Sequence, residues 1–118
     1  ISPQRALPVV ASYDAINNVL TIAKFSLPKG SVDYVNSLWQ IQEEPFKGDA
    51  INSYNDGPVN GGQMGKLYEL ESSSPAAALA PNESLTHNHS TVHLKGTKEE
   101  LDKIAMKLLG VTVDAISL

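Results

Sequence analysis

Residues 97–110, TKEELDKIAMKLLG, carry the helical period of this 118-residue chain, and its other apolar segments are too short and too often broken to repeat it. Leu101, Ile104, Ala105, Leu108 and Leu109 recur at i, i+3, i+4, i+7 and i+8, which is one apolar stripe on a helix. Thr97 with Glu100 three residues on makes a capping box, and Gly110 is a stop. The spacing predicts one α-helix near 98–109. Elsewhere proline, glycine, asparagine and aspartate cut the chain into runs that alternate with period two. About six strands, one helix and no βαβ alternation predict a mainly β fold: an antiparallel β-sandwich, or a barrel-like relative, with one C-terminal helix. The length suits a single domain over 1–118.

The run VVASYDAINNVLTIAKFSLP predicts a hairpin with strands near 8–13 and 19–27, joined through Asp14, Asn17 and Asn18. Its second strand has Leu20 and Ile22 on one parity and Val19, Ala23, Phe25 and Leu27 on the other. A strand apolar on both sides is covered on both sides or leads into a ligand cavity. Alternation continues in 34–42, in a short strand within 50–65, in 66–74 and in a long strand over 83–96, ESLTHNHSTVHLKG. The tail VTVDAISL is apolar enough to add a last strand.

Composition narrows the functional classes. A net charge of −4 and a pI of about 5.2 disfavour nucleic acid and anionic membrane surfaces, both of which attract basic patches. The lack of cysteine excludes disulfides, zinc thiolate sites and cysteine nucleophiles, without fixing the compartment. No apolar run reaches the ~20 residues that span a bilayer. The chain opens on Ile1, which reads as a processed or trimmed product from which an export signal could have been removed, so an extracytoplasmic location is favoured. The glycine-rich 56–65 stretch lacks the GK[ST] of a phosphate loop.

The three histidines, His87, His89 and His93, share odd parity and so one face of the predicted strand. His87 and His89 would lie ~7 Å apart and His93 ~13 Å further, which allows two ligands to one ion but not three. PNESLTHNH is similar to the H-x-H strand of a cupin, which implies a metal-dependent enzyme. However, the place of the cupin glutamate carries His93 or its neighbours, and no histidine follows. A metal would need Glu69, Glu71 or a partner chain. The preferred reading is a polar strand face with no metal ligand. Glu69 and Glu71 also share a face, ~7 Å apart at their Cα atoms, where they could act on a sugar or simply face water. If their strand paired with the histidine strand, carboxylates and imidazoles would line one surface. Trp39, with Tyr34, Phe46 and Tyr54, could form a stacking platform for a sugar or belong to core and rim.

Taken together, SYDAINNVLTIAKFSLP, VNSLWQIQ, NSYNDGP and GGQMGKLYELESSSPAAALAPNESLTHNHSTVHLKG resemble the C-terminal part of an uncharacterised bacterial family. Its larger members look like galactose mutarotase-like supersandwich proteins, and a related small member carries a lipid-binding label. The resemblance implies a half-supersandwich. It places Glu71 where mutarotases keep their general base, with YELESSSP and LAPNESLTHNHSTVHL as the closing motifs. Asn82 replaces the usual turn glycine, and the mutarotase acid, a histidine of the preceding half, has no counterpart before His87. A base without its acid cannot open a sugar ring in the usual way. The expectation is therefore a non-catalytic module, with no cofactor, that binds a small ligand of carbohydrate type through Glu69, Glu71, His87, His89 and Trp39. Its alternatives are a lipid or apolar-ligand binder and a cupin-like metal-dependent enzyme. A homodimer would cover an apolar face left by a truncated sandwich.

Overall fold

The computed structural model describes residues 1–58, 60–63, 65 and 67–116. The fold is mainly β, with two antiparallel sheets, as a small β-sandwich requires, and a C-terminal helix. Five strands are described: β1 Val9–Asp14, β2 Val19–Phe25, β3 Ile51–Asn55, β4 Tyr68–Ser72 and β5 His89–Lys95. Two helices follow, α1 Lys98–Leu109 and α2 Val113–Ile116. The chain forms two compact units, one of residues 1–7 and 26–88, the other of residues 8–25 and 89–118.

The second unit holds the sheet β1-β2-β5, with β2 antiparallel to both neighbours. The β1–β2 connection is local chemistry: Asp14 Oδ1 accepts the Ile16 and Asn17 amides at 2.9 and 3.0 Å, and Asn18 takes the left-handed conformation at φ 51°. Both bonds to Asn17, side chain first, hold the Asp14 carboxyl below the ordinary carboxylate range. Register pairs Tyr13 with Leu20 and Leu20 with Leu94, so Val9, Ala11, Tyr13, Ile22 and Leu94 share one face. On it pack Leu101 and Ala105 of α1 and Val113 of α2, closing a core with Leu20 and Ile22. Burying a side chain such as Leu20 or Leu101 contributes roughly 1.5–3 kcal/mol. On the opposite face of β2, Thr21, Ala23 and Phe25 are also buried, so this strand is covered on both sides.

α1 begins and ends where its spacing predicts. The Thr97 hydroxyl oxygen accepts the Glu100 amide, Glu100 Oε2 accepts the Thr97 amide at 2.9 Å, and Gly110 closes the helix at φ 75°. The tail is not a strand in its described residues. Thr112 O accepts the Ala115 amide, and Asp102 Oδ1 accepts the Val113 amide at 2.9 Å, so Asp102 caps a short helix and Val113 enters the core. Ser117 and Leu118, part of the expected last strand, lie outside the described residues.

In the first unit β3 pairs antiparallel with β4, Asn52 opposite Glu71 and Tyr54 opposite Glu69. Lys66 of the expected 66–74 strand, and Val59 and Met64 of the stretch before it, lie outside the described residues. The expected strand at 34–42 is instead a loop, attached by a single bridge from Tyr34 to Lys47. Its alternation fails as a strand because its backbone donors go to local acceptors: the Leu38 amide to Asn36 Oδ1 and the Gln40 amide to Leu38 O. The long strand over 83–96 shortens to β5, since residues 83–88 are irregular and the ladder with β2 starts at His89 opposite Phe25. His87 therefore leaves the shared face, which keeps only His89 and His93. β4 pairs with β3 and β5 with β2, so the glutamate and histidine strands form no hairpin.

A candidate ligand-binding surface

The loop of residues 34–48 has a well-braced neck. The Tyr34 amide donates to Phe46 O at 3.0 Å, the Gly48 amide to Tyr34 O at 2.8 Å and the Asn36 amide to Pro45 O at 2.8 Å. Tyr34 is fully buried at its base, and burial pushes its phenol pKa up. Gly48 is required for space: a Cβ there would meet Val35 O at 2.1 Å. Gln42 crosses the interior, donating from Nε2 to Asn36 O and Leu38 O at 3.2 and 3.3 Å, and Lys47 pairs with Glu44 on the outside. Above this frame Trp39 and Ile41 are entirely exposed, at 103% and 104%, with Val35, Leu38 and Phe46 more than half exposed. A braced loop that presents an indole wholly to solvent costs hydrophobic free energy that no packing in the described residues offsets.

Beside the loop runs an open groove of about 400 Å³, lined by Asn36, Ser37, Leu38, Lys47, Asp49 and Asn52. Asn52 belongs to β3, where it shares a sheet face with Tyr54, Glu69 and Glu71. The groove thus joins the loop to the carboxylate face of the β3–β4 ribbon. On that face Glu69 and Glu71 are exposed and in mutual hydrogen-bond contact, which raises the Glu71 pKa; partial burial and the Glu69 charge act in the same direction. The Tyr54 hydroxyl donates to Asp56 Oδ1 at 3.0 Å, and that bond, then the charges of Asp56 and Glu69, raise its phenol pKa. Asp56 Oδ2 accepts the Gly65 amide at 2.9 Å, and Gln63 donates to Asp56 O, which ties the β3–β4 loop to the ribbon.

The histidines lie elsewhere. His87 is half-buried, with Nε2 2.9 Å from Ser72 Oγ. Ser72 ends β4 on the parity opposite to Glu69 and Glu71, so this contact is made behind the carboxylate face. His89 belongs to the other compact unit. Its ring stacks on Phe25, with centroids 6.3 Å apart and planes at 14°, and its Nε2 lies 3.1 Å from Thr91 Oγ1. His93 Nδ1 is 2.9 Å from Thr21 Oγ1. Among the described residues no three histidine, aspartate or glutamate side chains converge to hold a metal ion, and no helix is long and apolar enough to cross a membrane.

The structure therefore brings Glu69 and Glu71 together and places Trp39 in the same unit. It adds Asn36, Asp49 and Asn52, which sequence reasoning missed. Only the β3–β4 register and the loop neck reveal them, since nothing local distinguishes these residues from turn asparagines and aspartates. No curated protein and no solved structure matches this chain. A family of unknown function, DUF6786, matches it over residues 1–118. The chain belongs to that family.

Proposed function

We propose that this chain is a non-catalytic module that binds a small ligand of carbohydrate type on the surface formed by the 34–48 loop and the β3–β4 ribbon. The observation that carries this reading is Trp39, wholly exposed on a loop with a hydrogen-bonded neck, whose preceding residues Asn36, Ser37 and Leu38 line a groove together with Asp49 and Asn52. A pyranose has an apolar face of C–H groups that stacks on an indole, and a rim of hydroxyls that planar amides and carboxylates accept and donate to in pairs. Asn36, Asn52 and Asp49 supply the rim partners, and Glu71, opposite Asn52, extends them.

Binding is favoured over hydrolysis by the contact between Glu69 and Glu71. Glycosidases hold their carboxyls about 5–5.5 Å apart for retention or 6.5–9.5 Å apart for inversion, leaving room for the scissile bond or for a water. Two carboxyls in direct side-chain contact leave neither space. The resemblance to mutarotase-like proteins agrees, since Glu71 would be a base with no histidine before His87 to act as acid. The lipid-binding alternative draws on an open groove of about 310 Å³ between Val35, Phe46 and Ala76–Ala78. Leu20 and Ala23 of β2, the strand whose two apolar sides suggested a cavity, have no accessible surface.

Trp39 is the chain's single tryptophan, so its fluorescence reports on this site alone. Titration with a panel of neutral oligosaccharides should shift its emission to the blue for at least one member, with calorimetric binding that Trp39→Ala removes. Binding that survives Trp39→Ala, or a blue shift with fatty acids and none with sugars, would overturn the carbohydrate reading.

A further inference from the structure

We propose that Asn60–Gly61, in the β3–β4 loop, is a self-modification site at which the Asn60 side-chain amide is lost as ammonia, leaving aspartate and isoaspartate. The reaction needs the following residue's backbone nitrogen to reach the asparagine Cγ. It is slowed by a side chain on that residue, by a hydrogen bond that anchors either group, and by burial.

Eight asparagines compete, and only Asn60 is followed by glycine. Asn60 and Gly61 are both exposed, with φ of 51° and 79°, and a Cβ on Gly61 would meet nothing within 4 Å, so the surroundings are open. The others are held. Asn17 donates to Asp14 at 2.7 Å and Asn18 accepts from Tyr13 at 3.0 Å. Asn36 grips the Leu38 amide. Asn52 lies within the β3 ladder, and Asn55 precedes Asp56, whose amide donates to Leu67 O. Asn88 precedes His89 at the start of β5 and donates its own amide to Ser26. Asn82 is exposed, with φ 72°, but the next amide, that of Glu83, is bonded to Ala80 O at 3.0 Å.

The chemistry balances with water as the only co-reactant. The Gly61 nitrogen gives its proton to solvent and forms a bond to Asn60 Cγ. The Cγ–Nδ2 bond then breaks, and ammonia leaves with a proton drawn from water. Water next opens the cyclic imide at one of its two carbonyls. Attack at the side-chain carbonyl yields aspartate; attack at the main-chain carbonyl yields isoaspartate, whose backbone runs through the former side chain. One negative charge is added to a hairpin that already carries Asp56, Glu69 and Glu71, and isoaspartate lengthens its loop by a methylene. This modification is independent of which ligand the surface takes.

The test is to incubate the folded chain in mildly alkaline buffer and follow peptide mass maps with time. A gain of about 1 Da should appear first, and severalfold faster than elsewhere, in the peptide containing Asn60. It should resolve into two chromatographic species, only one of which an aspartate-directed endoprotease cuts. Asn60→Gln should abolish the gain, and Gly61→Ala should slow it severalfold with an unchanged far-UV circular dichroism spectrum. An intact Asn60 after prolonged incubation, or conversion of other asparagines at the same rate, would overturn the proposal.

Discussion

Substituting Gly48 by alanine should unlock the 34–48 loop while leaving its tip sequence untouched. The added Cβ would stand 2.1 Å from Val35 O, 2.4 Å from Val35 C and 2.7 Å from Asn36 N, all backbone atoms that no rotamer change can move. Ordinary contact begins near 3.4 Å, so the two sides of the neck must separate by more than about 1 Å. Hydrogen bonds of 2.8–3.0 Å do not survive that shift, and three cross the neck here: Tyr34 to Phe46, Gly48 to Tyr34 and Asn36 to Pro45. At ~0.5–1.5 kcal/mol net for each, the substitution should cost about 2–4 kcal/mol. Urea unfolding followed by circular dichroism measures the cost, and hydrogen exchange at the Tyr34 and Asn36 amides locates it. Gly57→Ala is the control, since its nearest neighbour would be Asn55 Oδ1 at 3.5 Å and the change should stay within ~0.5 kcal/mol. A Gly48→Ala protein with an unchanged unfolding midpoint and unchanged protection at both amides would refute the claim that the neck holds the loop.

Two further outcomes follow from the packing and from the carboxylate pair. Leu101→Ala, which truncates a side chain 1% exposed against Leu20, Ile22 and Val113, should lower stability by about 3 kcal/mol; Met106→Ala on the same helix, 48% exposed, should change it by less than ~0.5 kcal/mol, and thermal or urea denaturation separates the two. Glu71 has a folded-state pKa above its ordinary 4.5, because of its contact with Glu69, so the folded chain binds a proton more tightly than the unfolded one. Its contribution is thus favourable at low pH and is lost as pH rises from 4.5 through the raised value. Glu71→Gln should remove that decline, and a melting-temperature profile that still falls across this window would disprove the pairing.

Some of these features were legible in the sequence because they rest on contacts within a few residues. The Thr97–Glu100 box, the Leu101-to-Leu109 stripe and Gly110 all act within one helix, and α1 has the bounds they predict. Asp14 gripping the amides of Ile16 and Asn17 is equally local, so the β1–β2 hairpin could be read directly. The 34–42 segment misled because alternation describes a half-buried strand only if another strand takes its amides. Here Asn36 and Gln42 supply local partners, and Val35, Leu38, Trp39 and Ile41 remain exposed. His87 misled for a related reason: a run of equal parity shares a face only as far as the ladder extends, and the ladder stops at His89. Glu69 and Glu71 on one face followed from parity alone, whereas their neighbours Asn52 and Tyr54 required the register.

Sequence by itself determined the class of the fold, the place of α1, the first hairpin and the shared face of the two glutamates. Each depends on dihedral preference, capping or parity, which act over one turn of helix or a few residues of strand. Tertiary structure alone decided that β5 joins β2 across some seventy residues, that the tail becomes a helix capped by Asp102, that a loop leaves Trp39 in solvent, and that Asn36 and Asn52 line one groove. Those outcomes depend on which apolar faces and which backbone donors find partners far along the chain. Many pairings share the same local pattern, so only the burial gained by the whole fold selects among them.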